Sequence, residues 1–334
     1  MDNPRAAGAR RAALIGAACA LALLAPALAA AAGADYLIGV GTRALILALA
    51  GLGLNLALGY GGMVSFGHAA FFGAGAYTVA ILGFHATLGE PLLTWPFEIA
   101  GTESAFLAWP AAMAAAGALA LVIGAISLRT SGLYFIMITL AFAQMLFFFF
   151  VSLEAYGGGD GLGLWARSSL PPLDLHDPWQ FYYTVLGLLA LFAVLKGRLV
   201  ASRFGLALQG IRDNERRMRA LGFPTVRYKL AAFAISGAVT GLAGALIANH
   251  AEFVSPALLS WQRSGEILVI VILGGMGTVA GPIVGAIAFV ATEEALSQWS
   301  EHWRIVFGPL LVLAVLFARQ GLWGLIAARE RIHD

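Results

Sequence analysis

The stretch GLNLALGYGGMVSFGHAAFFGAGAY, residues 53–77, decides the fold because it is dense in glycine, largely apolar and free of acidic residues, lysine and arginine. Glycine lets helices approach one another closely and lets the backbone bend. Asn55, Ser65 and His68 are polar side chains in these apolar surroundings, where each costs free energy unless it finds a partner. The stretch therefore predicts closely packed apolar helices with a break between them.

The composition of the whole chain indicates a membrane protein. Hydrophobic residues make up 60% of the 334 residues and charged residues 11%, against about 25% charged residues in soluble domains. The formal net charge of +2 gives no indication of nucleic-acid binding. The chain has one cysteine, Cys19, and six scattered histidines without metal-ligand spacing, so we predict no metal site and no cofactor.

Apolar runs follow one another along the chain, and a bilayer core of about 30 Å needs roughly 20 such residues per helix. We predict an all-α integral membrane protein with one transmembrane domain, residues 1–334. This domain would contain about 8 transmembrane helices plus a broken or re-entrant helix pair. Counted with the halves of that pair, it would have 9–10 segments. The first run resembles a signal peptide, but we predict a retained helix. The predicted spans are 12–32, 36–58, 63–84, 106–128, 132–152, 181–197, 229–249 and 304–320.

The charges of the loops orient the chain, because cytoplasmic loops are enriched in lysine and arginine. The acidic segments 85–105, 153–180 and 292–303 are predicted to be periplasmic, and the basic segment 198–228 and the C-terminal tail cytoplasmic. A single crossing by the apolar stretch 264–291 would violate this pattern at both ends, whereas two half-helices that enter and return satisfy it. Irregular backbone at membrane depth must be buried in protein or line a cavity, so we predict a translocation element there.

A second glycine cluster, residues 274–282, interrupts that stretch and resembles the first. Both contain Gly-Gly-Met followed two residues later by a hydroxyl residue, which either an internal repeat or chance would produce. The polar groups near the breaks either fix helix packing by hydrogen bonds, which we favour, or line the route of a polar solute. The candidate translocation-path residues are Asn55, Gly61, Gly62, Ser65, His68, Gly274, Gly275 and Thr278.

The basic loop 198–228 contains apolar residues at helical spacing between positions 206 and 223. Asp213-Asn214 offers an internal helix start and Gly222 a stop. Such a short amphipathic helix either lies on the membrane surface or offers an apolar ridge to a soluble partner. The residues predicted to couple the chain to a partner ATPase are Leu208, Ile211, Asp213, Glu215, Met218, Leu221 and Gly222.

The chain lacks a phosphate-binding Walker loop of its own. Such a loop needs glycine immediately before its lysine, but Lys196 follows Leu195 and Lys229 follows Tyr228. We therefore predict a pore subunit that is not an enzyme, and we expect any ATP hydrolysis to occur on partner subunits.

Four ordered motifs resemble those of the branched-chain amino-acid ABC permease family. They are the run at 54–77, Gly-Gly-Asp-Gly-Leu at 158–162, Ile-Arg-Asp-Asn-Glu at 211–215 with Ala-Leu-Gly at 220–222, and Gly-Gly-Met-Gly-Thr with Gly-Pro at 274–282. The Ile-Arg-Asp-Asn-Glu motif favours the LivM-type subunit over its LivH-type partner.

The resemblance implies a permease subunit of an ATP-binding-cassette importer in the bacterial inner membrane. Its cargo would be leucine, isoleucine and valine, or a related small polar solute such as urea, an amide or an aromatic acid. The implied partners are a second, LivH-type permease subunit, two cytoplasmic ATP-binding subunits, a periplasmic solute-binding protein and membrane lipid.

Two other classes remain as alternatives. A secondary transporter or channel working without ATP would be favoured by acidic residues paired within the membrane, but the ionisable residues in the apolar segments, Arg43, His68 and Glu266, lack an evident coupling chain. A purely structural membrane scaffold is disfavoured by the broken helices.

Overall fold

A computed structural model of the chain describes residues 22–31, 33–89, 91, 100–298, 305–309 and 321–327. Within these residues the fold is almost entirely helical, apart from a short antiparallel pairing of β1 (Leu162–Gly163) with β2 (Phe253–Val254). Helix α2 continues into a π-helical segment, Leu56–Tyr60. The α-helices are α1 (Ala22–Ala31), α2 (Tyr36–Asn55), α3 (His68–Leu88), α4 (Ala105–Ser127), α5 (Leu133–Ser152), α6 (Pro178–Ala201), α7 (Arg203–Asp213), α8 (Glu215–Ala220), α9 (Thr225–Ala251), α10 (Trp261–Gly274), α11 (Gly281–Ser297) and α12 (Gly321–Ala327).

Six of the described helices are long and apolar enough to cross a membrane: α2 with its π-helical segment, α3, α4, α5, α6 and α9. They confirm the predicted all-α membrane fold and the six spans predicted between residues 36 and 249. The predicted spans 12–32 and 304–320, and with them the retention of the first helix, lie largely outside the described residues. The C-terminal tail, residues 328–334, lies outside them as well.

Helix α9 lies at the centre of the bundle and packs against α2, α3 and α4. Its contact with α3 is close enough that backbone meets backbone. A Cβ atom on Gly244 would lie 1.8 Å from the carbonyl oxygen of Phe72, and one on Gly75 would lie 1.9 Å from that of Gly241. Only glycine permits such an approach, so small residues set the spacing of the central helices.

Helix α3 begins inside the bundle rather than at its edge. The span predicted at 63–84 starts at His68 because the glycine-rich residues 61–67 form an irregular connection. His68 Nε2 lies 2.8 Å from Ser236 Oγ, which donates to the carbonyl oxygen of Gly53 at 2.6 Å. Gly53 lies about two helical turns before Tyr60, so the connection runs back alongside α2 inside the helix bundle.

Helices α10 and α11 form the predicted broken helix pair, and its re-entrant path through the bilayer stays a prediction. With 14 and 17 residues, they extend about 21 and 26 Å, less than the roughly 30 Å of a hydrocarbon core. Helix α11 returns toward the start of α2, where Arg43 and Glu293 form an ion pair at 2.7 Å. The turn between the two helices, residues 275–280, contacts the opposite end of α2.

Candidate translocation and coupling site

Asn55 joins the two glycine clusters where the turn after α10 meets the end of α2. The residue is fully buried. Its Nδ2 donates to the carbonyl oxygen of Thr278 at 2.6 Å, and its Oδ1 accepts from the N–H of Gly277 at 2.9 Å. One side-chain amide thus satisfies a donor and an acceptor of the same turn and fixes its position. We call this contact the junction and define it by Asn55, Gly59, Gly274, Gly277 and Thr278.

The junction requires glycine because backbone fills the space that a side chain would occupy. A Cβ atom on Gly59 would lie 2.4 Å from the nitrogen of Gly277, and one on Gly274 would lie 1.9 Å from the carbonyl oxygen of Gly281. Gly275 has a φ of +118°, which residues with a side chain rarely adopt. Four of the eight predicted path residues, Asn55, Gly274, Gly275 and Thr278, are therefore brought together here.

Thr278 closes the turn that carries the second glycine cluster. Its Oγ1 donates to the carbonyl oxygen of Gly275 and accepts from the N–H of Gly281, both at 3.0 Å. The second bond satisfies an N–H group at the start of α11, which has no partner within its own helix. The hydroxyl thus holds the turn in shape from inside.

Ser65 and His68 lie at the start of α3 and are fully buried. Ser65 Oγ accepts from the N–H of Gly67 at 3.1 Å. Because Ser236 donates its one hydroxyl hydrogen to Gly53, its oxygen accepts from His68, and the proton of the imidazole is on Nε2. These bonds support the interpretation of packing by hydrogen bonds, and a role in lining the path stays a prediction.

Gly61 and Gly62 form the turn that leaves α2. Gly62 has a φ of +67°, and a Cβ atom on it would lie 2.8 Å from Cγ of Arg212. A Cβ atom on Gly61 would lie 2.7 Å from the carbonyl oxygen of Ala57. Both positions therefore need glycine for the chain to turn beside α7.

Two serines that the sequence did not single out hold α3 in place. Ser264 Oγ accepts from the N–H of Ala69 at 2.9 Å and donates to the carbonyl oxygen of Phe66 at 2.6 Å, which ties α10 to the start of α3. Ser236 connects α9 to α2 and His68, as described above. In the sequence, each of these serines is visible only as a polar residue inside an apolar helix. That pattern does not show which group the serine bonds to.

Charged side chains are unevenly distributed among the described membrane helices. Arg43 of α2 pairs with Glu293 of α11 at 2.7 Å, and Arg263 pairs with Glu266 within α10 at 2.5 Å. Helices α4 and α5 carry no acidic or basic residue. Since lipid disfavours charge, the side formed by α2, α10 and α11 faces protein or water, and α4 and α5 suit a lipid boundary.

The segment predicted to be cytoplasmic, 198–228, forms two helices, α7 and α8, rather than one. Asn214 has extended backbone and accepts from the N–H of Arg217 at 2.9 Å, so it ends α7 and caps α8. The internal start predicted at Asp213-Asn214 is confirmed, as is the stop at Gly222, whose φ is +84°. One continuous helix with one apolar ridge is not formed.

The predicted ridge is divided between the interior and the surface. Leu208 and Ile211 are 0% and 1% exposed, whereas Leu221 is 67% exposed. Met218 packs against Gly210, between the two helices. Leu208 and Ile211 therefore do not lie on an exposed ridge, and Leu208 packs with Leu56 and Tyr60. Their role in coupling stays a prediction. The exposed apolar side chains here are Leu206, Leu221, Phe223 and Val226.

Glu215 fastens α8 to the first turns of α9. Its carboxylate bonds to Lys229, to Arg219 at 2.7 Å and to the hydroxyl of Thr225 at 3.1 Å. Burial alone would raise the pKa of the Glu215 carboxyl. The hydrogen bond and the positive charge of Lys229, together with the hydrogen bonds from Arg219 and Thr225, outweigh burial and hold that pKa below its usual value. The two helices are therefore joined by a charged contact at neutral pH.

Comparison with known proteins places these features in a family. The model of the family described as "Branched-chain amino acid transport system / permease component" matches residues 36–315. The chain is 30% identical over 312 residues to the high-affinity branched-chain amino acid transport system permease protein LivM of Salmonella typhimurium, and equally to that of Escherichia coli, covering 85% of this chain and 69% of each relative. It is 32% identical over 138 residues to the Escherichia coli xylose transport system permease protein XylH, covering 38% of this chain and 35% of the relative. No solved structure matches the chain.

Proposed function

Because this chain belongs to the family of branched-chain amino acid transport permease components, we propose that it forms part of the path for leucine, isoleucine and valine in an ATP-binding-cassette importer. The observation that carries the proposal is the family match along residues 36–315, which contains both glycine clusters and the cytoplasmic helices. The predicted multi-pass location in the bacterial inner membrane is confirmed by this family and by the apolar helices.

We propose that the junction acts as part of the gate rather than as a solute-binding surface. Asn55, Ser65 and His68 are fully buried and hydrogen-bonded within the chain, so a passing solute would not reach them in this conformation. The glycines let the connection 61–67 and the turn 275–280 lie at membrane depth. A movement of either irregular segment would open or close space beside α2.

The energy for transport would enter through partner subunits. Neither lysine of this chain stands in a Walker loop, so ATP hydrolysis is assigned to two cytoplasmic ATP-binding subunits. Their docking site would be the segment 198–228, with the exposed Leu206, Leu221, Phe223 and Val226 as apolar contacts among basic residues. A LivH-type subunit would complete the pore within this single membrane domain, and a periplasmic binding protein would deliver the solute.

Reconstitution with the partner subunits tests this function. The chain is placed in proteoliposomes with a second permease subunit, the ATPase and the binding protein, and uptake is measured with labelled leucine, isoleucine, valine, xylose and urea. We expect ATP-dependent uptake of the three branched-chain amino acids and hydrolysis stimulated by the loaded binding protein. Solute exchange without ATP would instead support a secondary transporter, and uptake of urea or xylose alone would overturn the substrate class.

A further inference from the structure

Arg212, near the end of α7, has a side chain that is 39% exposed and reaches from the surface to the end of the π-helical segment that follows α2. Its Nη1 donates to the carbonyl oxygen of Gly59 at 2.7 Å, while Nε and Nη2 donate to Asp213 Oδ1 at 3.1 and 3.0 Å. The Arg212 side chain is also in contact with the turn after α2, since a Cβ atom on Gly62 would lie 2.8 Å from its Cγ. One guanidinium therefore connects α7 to the end of α2.

The end of a helix explains why a cation binds there. The last carbonyl groups of a helix lack a donor from the next turn and carry the negative end of the helix dipole. The π-helical segment ends at Tyr60, so Gly59 provides such a carbonyl. Arginine presents several N–H donors in a rigid plane, which allows it to bond to Gly59 and Asp213 together.

The same guanidinium lies next to the re-entrant turn. A Cβ atom on Gly277 would lie 3.7 Å from Arg212 Nη1 and 3.4 Å from the carbonyl oxygen of Gly59. Asn55, one turn earlier in α2, holds the Gly277 N–H. A displacement of Arg212 would therefore act on the end of α2 and on the turn 275–280 together.

The cytoplasmic helices are attached firmly enough to transmit such a displacement. Ile211, beside Arg212, is buried against the bundle, and Glu215 bonds to Lys229 at the base of α9. The exposed Leu221 lies at the end of α8, on the surface proposed for the ATPase. Force applied there reaches the junction through a short series of packed and hydrogen-bonded contacts.

We propose that Arg212 is the positioning residue that connects ATPase docking to the junction. It caps α2 through Gly59 and holds the re-entrant turn closed. Movement of α7 and α8 during the ATP cycle withdraws the guanidinium and releases both segments. This assignment rests on the proposed importer function.

The test compares Arg212→Met and Arg212→Lys with Arg203→Met in the reconstituted importer. Arg203 lies on the same helix and is exposed like Arg212, but its side chain makes no hydrogen bond or ion pair with the described residues, which makes it a matched control. We expect Arg212→Met to keep its ATPase subunits on purification but to lose about ten-fold or more of the uptake rate, since it removes a charged donor from buried backbone. Arg212→Lys should recover part of the rate, because a lysine supplies the charge without the planar set of donors.

A labelling experiment separates transmission from a merely structural role. Cys19→Ser removes the chain's one cysteine, and Met276→Cys places a thiol at an exposed position in the re-entrant turn. In the otherwise unaltered importer, the labelling rate should differ between the nucleotide-free and the vanadate-trapped states. With Arg212→Met the two rates should become equal.

The outcomes are distinguishable. The role of Arg212 is overturned if Arg212→Met takes up solute at a rate within two-fold of the unaltered importer. It is also overturned if the labelling difference between the two nucleotide states persists in that variant. Lower uptake with the labelling difference intact would assign Arg212 to folding alone and equally overturns the proposal. A lack of ATP-dependent uptake in the unaltered importer would contradict the proposed function itself.

Discussion

Helices α2 and α6 have the same mean hydropathy but opposite surroundings. In the most apolar part of each span, 72% of the residues of α2 with its π-helical segment are buried inside the chain, against 17% for α6. A Cβ atom on Gly59, in the π-helical segment, would meet the backbone of Gly277, whereas one on Gly187 in α6 would meet nothing within 4 Å. Hydropathy thus reports that a helix is in the membrane and not what it touches there.

The difference lies in small and polar residues rather than in apolar content. Helix α2 uses Gly51, Gly53 and Asn55 to contact α9, α10 and the re-entrant turn. Helix α6 places Leu191, Val194 and Leu195 on its exposed surface, as a helix facing lipid or another subunit does. Substitutions matched between the two helices therefore separate membrane insertion from assembly of the junction.

The largest contrast is expected for glycine replaced by leucine. Gly274→Leu should abolish uptake and prevent stable folding, because its Cβ would lie 1.9 Å from the carbonyl oxygen of Gly281. Gly187→Leu should retain uptake near the original level, because its surroundings are open. Uptake of labelled leucine and gel filtration of the detergent-solubilised protein measure both effects. Equal losses in the two variants at equal membrane levels would remove the distinction between the helices.

A second contrast compares buried and exposed residues of α7 and the end of α8. Ile211→Asp should destabilise the protein by about 3 kcal/mol or more, because it buries a charge without a partner. Leu221→Asp, at a position 67% exposed, should leave the protein folded but weaken ATPase binding by about 1–3 kcal/mol, the range of an interface anchor. Thermal unfolding and ATPase retention on purification distinguish the two. Normal stability of Ile211→Asp would contradict the assignment of Ile211 to the interior. Full ATPase retention by Leu221→Asp would contradict the assignment of Leu221 to the docking surface.

The sequence predicted what depends on local pattern. Apolar length predicted the six described spans, and the glycine run at 274–277 predicted the break between α10 and α11. The start of α3 at His68 was missed because it depends on the contact with Ser236, 168 positions away. The burial of Leu208 and Ile211 was missed because helical periodicity shows which residues share a face but not whether that face meets the chain itself or a partner.

A smaller effect is expected for the polar contacts of the two helices. Asn55→Ala removes both bonds to the re-entrant turn and should lower the free energy of unfolding by about 1–3 kcal/mol. Interhelical hydrogen bonds in membranes contribute roughly 0.6 kcal/mol each. The buried backbone groups left without a partner add to this loss. Thr184→Ala in α6 removes only a bond to Gln180 of the same helix and should cost less than about 0.5 kcal/mol. Thermal unfolding in detergent measures the difference. An equal cost for both would show that Asn55 does not hold the turn.

The smallest effect is expected where α8 joins α9, outside the membrane. The pKa of Glu215 is lowered in the folded protein, against the tendency of burial to raise it, because Lys229, Arg219 and Thr225 bond to the charged form. A carboxyl with a lowered pKa stabilises the fold fully above its unfolded pKa of about 4.3 and loses that contribution as pH falls through the folded value. The stability lost in Glu215→Gln should therefore be constant between about pH 6 and 8 and decrease below about pH 4.

The size of that loss should be small because the contact is close to solvent. The side chains of Lys229 and Glu215 are 18% and 27% exposed, and ion pairs near solvent typically contribute less than about 1 kcal/mol. A double-mutant cycle of Glu215→Gln and Lys229→Met isolates their interaction from the bonds that Glu215 makes to Arg219 and Thr225. We expect a coupling energy that falls with added salt, because salt screens charges near the surface. A coupling of zero would mean that Lys229 does not hold α8, which would then be joined to α9, among the described residues, only by the bonds of Glu215 and Arg219 to Thr225.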